Sequence, residues 1–126
     1  MRQLLEVTQA MGDESRLRIL AMLAGGELCV CQVLEVLDLA PSTVSKHLAV
    51  LRRARLIDSR KEGKWMHYRL ADRGLPDEAR TATRWVMAHL DRESSVALDR
   101  NHLKKLLKMD PEEVTRRQRA GERCCG

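Results

Sequence analysis

At 126 residues the chain is long enough for one small hydrophobic core and too short for an enzyme with separate cofactor and substrate domains. A third of its residues are charged and the formal balance is +5, which favours an anionic partner such as nucleic acid. No apolar run approaches the ~18 residues of a membrane span, and Met1-Arg2-Gln3-Leu4-Leu5-Glu6 carries no signal-peptide stretch, so a cytoplasmic protein with no membrane partner is expected. There thiols stay reduced, and four cysteines in two close pairs, Cys29/Cys31 and Cys124/Cys125, suggest metal binding or reactivity rather than a disulfide framework.

Apolar spacing is helical from the start. Leu4, Val7 and Met11 mark one helix; Leu17, Leu20 and Met22-Leu23 mark a second, with Asp13 placed to cap it and Gly25-Gly26 to end it. Val30, Val33, Leu34 and Leu37 fall at i, i+3, i+4 and i+7 and predict a two-turn helix with one buried face. Asp38-Leu39-Ala40 makes a tight connection to Pro41, whose fixed φ and missing N–H suit the first position of another helix. In that helix Val44, Leu48 and Leu51 face the core and leave Ser42, Thr43, Ser45, Lys46 and Ala49 outside.

Such a face can enter a major groove, its hydroxyls meeting base edges or phosphates while Lys46 or His47 meets the backbone; Arg52, in the basic run that follows, joins the candidate contacts. An ordinary amphipathic helix with a solvated polar face would carry the same residues. The stretches 56–61 and 64–70 alternate around Glu62-Gly63, a hairpin signature, with Arg60, Lys61 and Lys64 crowding the tip where phosphates could be met. Two short helices, a tight turn and a basic hairpin make a mainly α, winged helix-turn-helix fold that docks its second helix in the major groove.

Past Pro76 the pattern is helical again, with Asp77 as possible cap and Ala79, Ala82, Val86 and Leu90 on one face. Two DNA half-sites require two reading helices related by a two-fold axis, so a homodimer on double-stranded operator DNA is expected, joined through this helix and the N-terminal one. Leu98, Leu103, Leu106 and Leu107 suggest a further helix to about Met109, and Asp110-Pro111-Glu112-Glu113 a fresh cap and first turn. The chain thus divides into a winged-helix unit with its dimerisation helices, 1–93, and a helical extension, 94–126, ending in a basic tail expected to be mobile unless Cys124 and Cys125 engage something.

Residues i and i+2 of a regular helix point to nearly opposite sides. Cys29 and Cys31 can therefore meet one ion only if Cys29 lies outside the helix or its first turn loosens. The positive end of a helix lowers a cysteine's pKa and favours the thiolate that binds soft ions, with Glu27 acting against it. One or both cysteines could equally be small buried hydrophobes. A soft thiolate set excludes magnesium and calcium, and the scarcity of histidine beside it argues against a four-coordinate structural zinc site.

Glu27-Leu28-Cys29-Val30-Cys31, Pro41-Ser42-Thr43-Val44-Ser45-Lys46-His47-Leu48 and Arg60-Lys61-Glu62-Gly63-Lys64-Trp65 resemble the ArsR/SmtB family of metal-responsive repressors, over about Leu4 to Leu90. The resemblance implies a dimeric winged helix whose apo form binds operator DNA and releases it when an ion binds the cysteine box, which is similar to the arsenite and antimonite signature. Cadmium- and lead-sensing relatives carry a similar box, so Cd(II) and Pb(II) stand beside As(III) and Sb(III) as possible inducers, with no resident cofactor. Arsenic-sensing members commonly add a cysteine three residues after the second, where this chain has Leu34, and the family's recognition helix often opens on a serine cap, where this chain has Ala40.

Arsenite prefers three thiolates, which makes Cys124 or Cys125, of either subunit, a candidate third ligand. His89, Asp91, Asp99 and His102 are out of order for the family's interfacial zinc site and read as surface or interface polar residues. A redox-responsive repressor could use the same cysteines through a disulfide or sulfenic acid. A thiol-transfer or arsenate-reducing enzyme would need a nucleophilic cysteine in a strand-to-helix anion loop, and the sequence has no such loop, so no enzymatic activity is expected.

Overall fold

Asp13 starts the second helix, its carboxylate accepting from the Arg16 N–H at 3.1 Å, and the chain leaves that helix through Gly25-Gly26 with Gly26 at φ 136. The computed structural model describes residues 1–110, 112–114 and 116, and among them the elements run α1 (Arg2–Ala10), α2 (Glu14–Leu23), β1 (Leu28–Cys29), α3 (Val30–Leu37), α4 (Pro41–Arg53), β2 (Ile57–Glu62), β3 (Trp65–Leu70), α5 (Asp77–Leu90) and α6 (Ser94–Leu106). The fold is a winged helix-turn-helix. Asp38 makes the turn between α3 and α4 in the left-handed region, φ 53, where a short polar side chain is tolerated better than most. Pro41 is the first residue of α4, and Ala40 before it makes no side-chain cap.

The hairpin of the wing closes through Gly63-Lys64, with Glu62 opposite Trp65 and Gly63 at φ 60, the position where a tight II′ loop takes glycine. A third strand joins it that the periodicity does not announce. β1 pairs antiparallel with β3, Leu28 opposite Tyr68 and Cys29 opposite His67, giving the order β1-β3-β2. Two residues are too few to show an alternation, and the pairing is made with chain about forty positions away. Leu28, Ile57 and Tyr68 turn the inner sheet face to the core.

Val44, Leu48 and Leu51 of α4 are buried as their spacing predicts, each contributing about 1.5–3 kcal/mol over an exposed position. They meet Ile19, Leu20, Met22 and Leu23 of α2 and Val33 of α3 in one hydrophobic core. For α3 the expected single buried face is too little. Cys31, Gln32, Val33, Leu34, Val36 and Leu37 are all buried, because α2, the sheet and α6 pack around the helix. Leu103 and Leu106 of α6 belong to the main core, and Arg18 of α2 locks α6 in place through two 2.8 Å bonds to buried Asp99. α6 ends at Leu106, three residues before the expected Met109, and α5 has Pro76 at its cap, with Asp77 in the first turn bonded to Arg80.

Candidate metal centre and nucleic-acid interface

Cys29 is the last extended residue before α3, φ −72 and ψ 147, and Cys31 lies in the first helical turn. Of the two geometries that allow a shared ion, the chain adopts the one with Cys29 outside the helix. The sulfurs lie 3.0 Å apart and both are free thiols, 2% and 0% exposed. Gln32 holds the corner: its Oε1 accepts from the Cys29 N–H at 2.8 Å while the Cys29 sulfur faces the Gln32 N–H, a capping box with a thiol in the place of a hydroxyl. Glutamine three residues after the cap is the sequence signal that could have revealed it.

The backbone N–H groups of Cys31 and Gln32 favour a Cys29 thiolate, as the helix terminus implies. They are outweighed. The hydrogen bond shared with the Cys31 thiol, then burial, push the Cys29 thiol well above the ordinary cysteine range, so it is protonated at neutral pH, contrary to the expectation of ionised thiols. Two sulfurs held at about 2.3 Å from one ion with tetrahedral angles stand about 3.8 Å apart. Ligation therefore spreads this pair instead of gathering it, by roughly 0.8 Å at zinc's tetrahedral angle and by less at the narrower angle of a pyramidal As(III) centre.

Among the described residues no three His, Cys, Asp or Glu side chains form a ready metal cluster, so the pair offers two donors of the three that arsenite prefers. Leu34, one helical turn beyond Cys31, is buried. Cys124 and Cys125 lie outside the described residues.

On α4, Ser42, Thr43, Ser45, Lys46 and Arg52 are exposed on the side away from the core. His47 is only half-buried and turns inward. Arg16, a donor only, bonds its Nδ1 at 3.2 Å, and Asp13 stands 3.8 Å away. The same guanidinium donates to the Gln9 and Ala10 carbonyls that end α1, so His47 seats α4 on the α1–α2 corner rather than joining the outward row.

Lys61 and Lys64 are exposed at the wing tip, Lys64 5.2 Å above the Trp65 ring. Arg60 is not open in the same way. Its guanidinium grips both oxygens of Glu27 and bonds Glu62, and it holds the Glu27 carboxyl below the usual range. No local signal links residues 27 and 60; the sheet brings them together. Of the acids and histidines weighed for an interfacial site, Asp99 is taken by Arg18, Asp91 by Arg100, and His89 stacks near Trp85 and bonds its carbonyl.

Residues 13–59 match the model of the bacterial regulatory protein arsR family. The arsenical resistance operon repressor of Escherichia coli is 44% identical over 68 residues, 53% of this chain and 58% of that protein. A Staphylococcus aureus homologue of the cadmium resistance regulator CadC is 38% identical over 68 residues, 53% of this chain and 56% of that protein, so the chain spans little more than half the length of either relative. The homodimeric winged helix-turn-helix domain of a possible ArsR-family regulator from Mycobacterium bovis superposes with a TM-score of 0.58 at 31% identity, covering 74% of this chain and 86% of that one.

Proposed function

We propose, from the premise that this chain belongs to the arsR family of bacterial regulatory proteins, that it is a transcriptional repressor whose apo homodimer grips operator DNA and releases it when As(III) or Sb(III) binds Cys29 and Cys31. The observation that carries the reading is the 3.0 Å thiol pair at the start of α3, the two-turn helix that leads through a short turn into α4 and its exposed face. Ser42, Thr43, Ser45, Lys46 and Arg52 would face the groove, with Lys61 and Lys64 on flanking phosphates. Exposed Leu4 and Leu5 of α1, beside α5, are the apolar surface a second copy would cover. Linkage requires the ion to prefer the free dimer, by a coupling that is typically about 1–3 kcal/mol.

Cadmium or lead is the second reading, favoured by buried Leu34 where arsenic sensors commonly have a third thiol and by the likeness to the cadmium resistance regulator. The test is a fluorescent duplex selected from random DNA by the metal-free protein, titrated with arsenite, antimonite, Cd(II) and Pb(II) under a phosphine reductant. Arsenite should weaken binding about 5- to 150-fold, and Cys29→Ser or Cys31→Ser should remove the effect. Equal affinity with and without every ion refutes ion sensing. Unchanged arsenite affinity and stoichiometry in C124S/C125S would dismiss the tail as a source of the third ligand.

A further inference from the structure

β1 is common to the thiol pair and to the wing. Cys29 stands opposite His67 of β3, and His67 stands opposite Arg60 of β2, so the three form one cross-strand row from the sulfur to the hairpin. Glu27, two residues before Cys29 and on the same side by strand alternation, closes the row from below. Arg60 Nε lies 2.9 Å from each Glu27 oxygen, its Nη2 bonds Oε1, its Nη1 lies 2.9 Å from Glu62 Oε2, and His67 Nδ1 lies 3.7 Å from Glu27 Oε1.

Cys31 belongs to a helix enclosed on all sides, whereas Cys29 belongs to a two-residue strand at the sheet edge. When an ion spreads the two sulfurs, the strand is the part with room to give. We propose that Glu27 and Arg60 are positioning residues of the switch, carrying the displacement of β1 into the β2–β3 wing, and that Arg60 works as an internal strut and not as a phosphate contact. The inference rests on the ion-responsive reading of the thiol pair and names the route from that pair to DNA. An arginine shared by two carboxylates has little charge left to offer a third anion, which separates it from Lys61 and Lys64 on the same hairpin.

The probe is phenylarsine oxide, whose single arsenic takes two thiols, used on the full chain with peptide mapping to confirm that Cys29 and Cys31 lose their reactivity to alkylation. Two readouts are taken: affinity for the selected duplex with and without the probe, and amide hydrogen exchange over residues 57–70 of the free protein. Occupancy should weaken DNA binding at least tenfold and speed exchange in the hairpin. In Glu27→Gln and Arg60→Gln the weakening should fall below threefold and the exchange change should vanish, while thiol occupancy and probe-free DNA affinity stay within threefold of the parent. Arg60→Lys, which keeps the charge, should recover most of the response, a rescue that simple loss of packing would not give.

An Arg60→Gln protein as responsive as the parent overturns the strut. So does one that loses probe-free affinity and flattens the salt dependence by about 0.9 per lost contact, the mark of a phosphate ligand. If the hairpin responds through Glu27 and Arg60 while DNA affinity ignores the probe, the ion-triggered release fails and the strut stands. If both thiols are occupied and neither readout moves, the strut fails.

Discussion

Replacing Leu34 by cysteine puts a third thiol one helical turn beyond Cys31, where the pair lacks a donor. The cost follows from burial. Leu34 is 2% exposed, and Leu→Cys removes about two buried carbon groups, about 1.6 kcal/mol of transfer energy before any cavity term. With the residual cavity the loss is about 2–3 kcal/mol. For 126 residues the unfolding entropy is about 0.26 kcal/mol/K, so apo Leu34→Cys should melt roughly 8–11 °C lower at fixed protein concentration.

Arsenite at a hundred times its Kd should return about 2.7 kcal/mol, close to the whole deficit. The same arsenite concentration should do less for the parent, whose two thiols bind it more weakly. Paired thermal melts of both proteins, with and without arsenite, measure each quantity. A Leu34→Cys protein that melts lower yet gains no more from arsenite than the parent does would refute the placement of residue 34 beside the sulfurs.

Because the Cys29 thiol is pushed above its ordinary range, it keeps its proton in the apo protein at neutral pH, and what happens to that proton depends on the inducer. As arsenous acid takes the Cys29 thiol, an As–S bond replaces an As–O bond and the hydroxide leaves with the thiol proton as water, so no net proton is released at Cys29 and the apparent affinity should be flat between pH 6 and 8; Cd(II) must expel the proton, so its affinity should rise up to about tenfold per pH unit per proton. Calorimetry in two buffers reads the proton count, and a steep arsenite profile would contradict a protonated Cys29. Asp99→Ala, which leaves Arg18 without its two 2.8 Å bonds, should cost about 2 kcal/mol in urea unfolding. A double-mutant cycle with Arg18→Ala giving a coupling near zero would deny that lock. Lys64→Ala should weaken specific and random duplexes alike and lower the salt slope by about 0.9 per phosphate contact, whereas a loss confined to the selected duplex would assign Lys64 to base reading.

Local chemistry made much of the fold legible. Asp13, Gly25-Gly26, Pro41 and Gly63 mark ends and turns by the conformations they allow, and Val44, Leu48 and Leu51 declare the inner face of α4 by spacing alone. The winged helix-turn-helix followed from these. What stayed hidden depends on partners distant in the chain. β1 exists because Leu28 and Cys29 find Tyr68 and His67, and a two-residue strand has no period to show. His47 sits among outward-facing neighbours in sequence and is drawn inward by Arg16, thirty-one positions earlier. Nothing near Arg60 in the sequence announces the Glu27 carboxylate that the sheet brings to its guanidinium. The Cys-X-Cys spacing shows that the two thiols could share an ion, but the 3.0 Å separation comes from the corner that leaves Cys29 outside the helix, and the raised Cys29 pKa from its hydrogen bond with Cys31 and then from burial.

The enclosure of the two sulfurs also governs time. With Cys29 and Cys31 almost fully sealed, an inducer meets no open thiol on the resting surface and must wait for a local breathing motion of the strand or of α3. At high inducer concentration the rate of ligation should therefore reach a ceiling set by that motion, the same for every soft ion. Stopped-flow traces that kept accelerating in proportion to concentration would mean that the thiols are reached without any such opening. A repressor built this way has a fastest response of its own, which no further abundance of the ion can shorten.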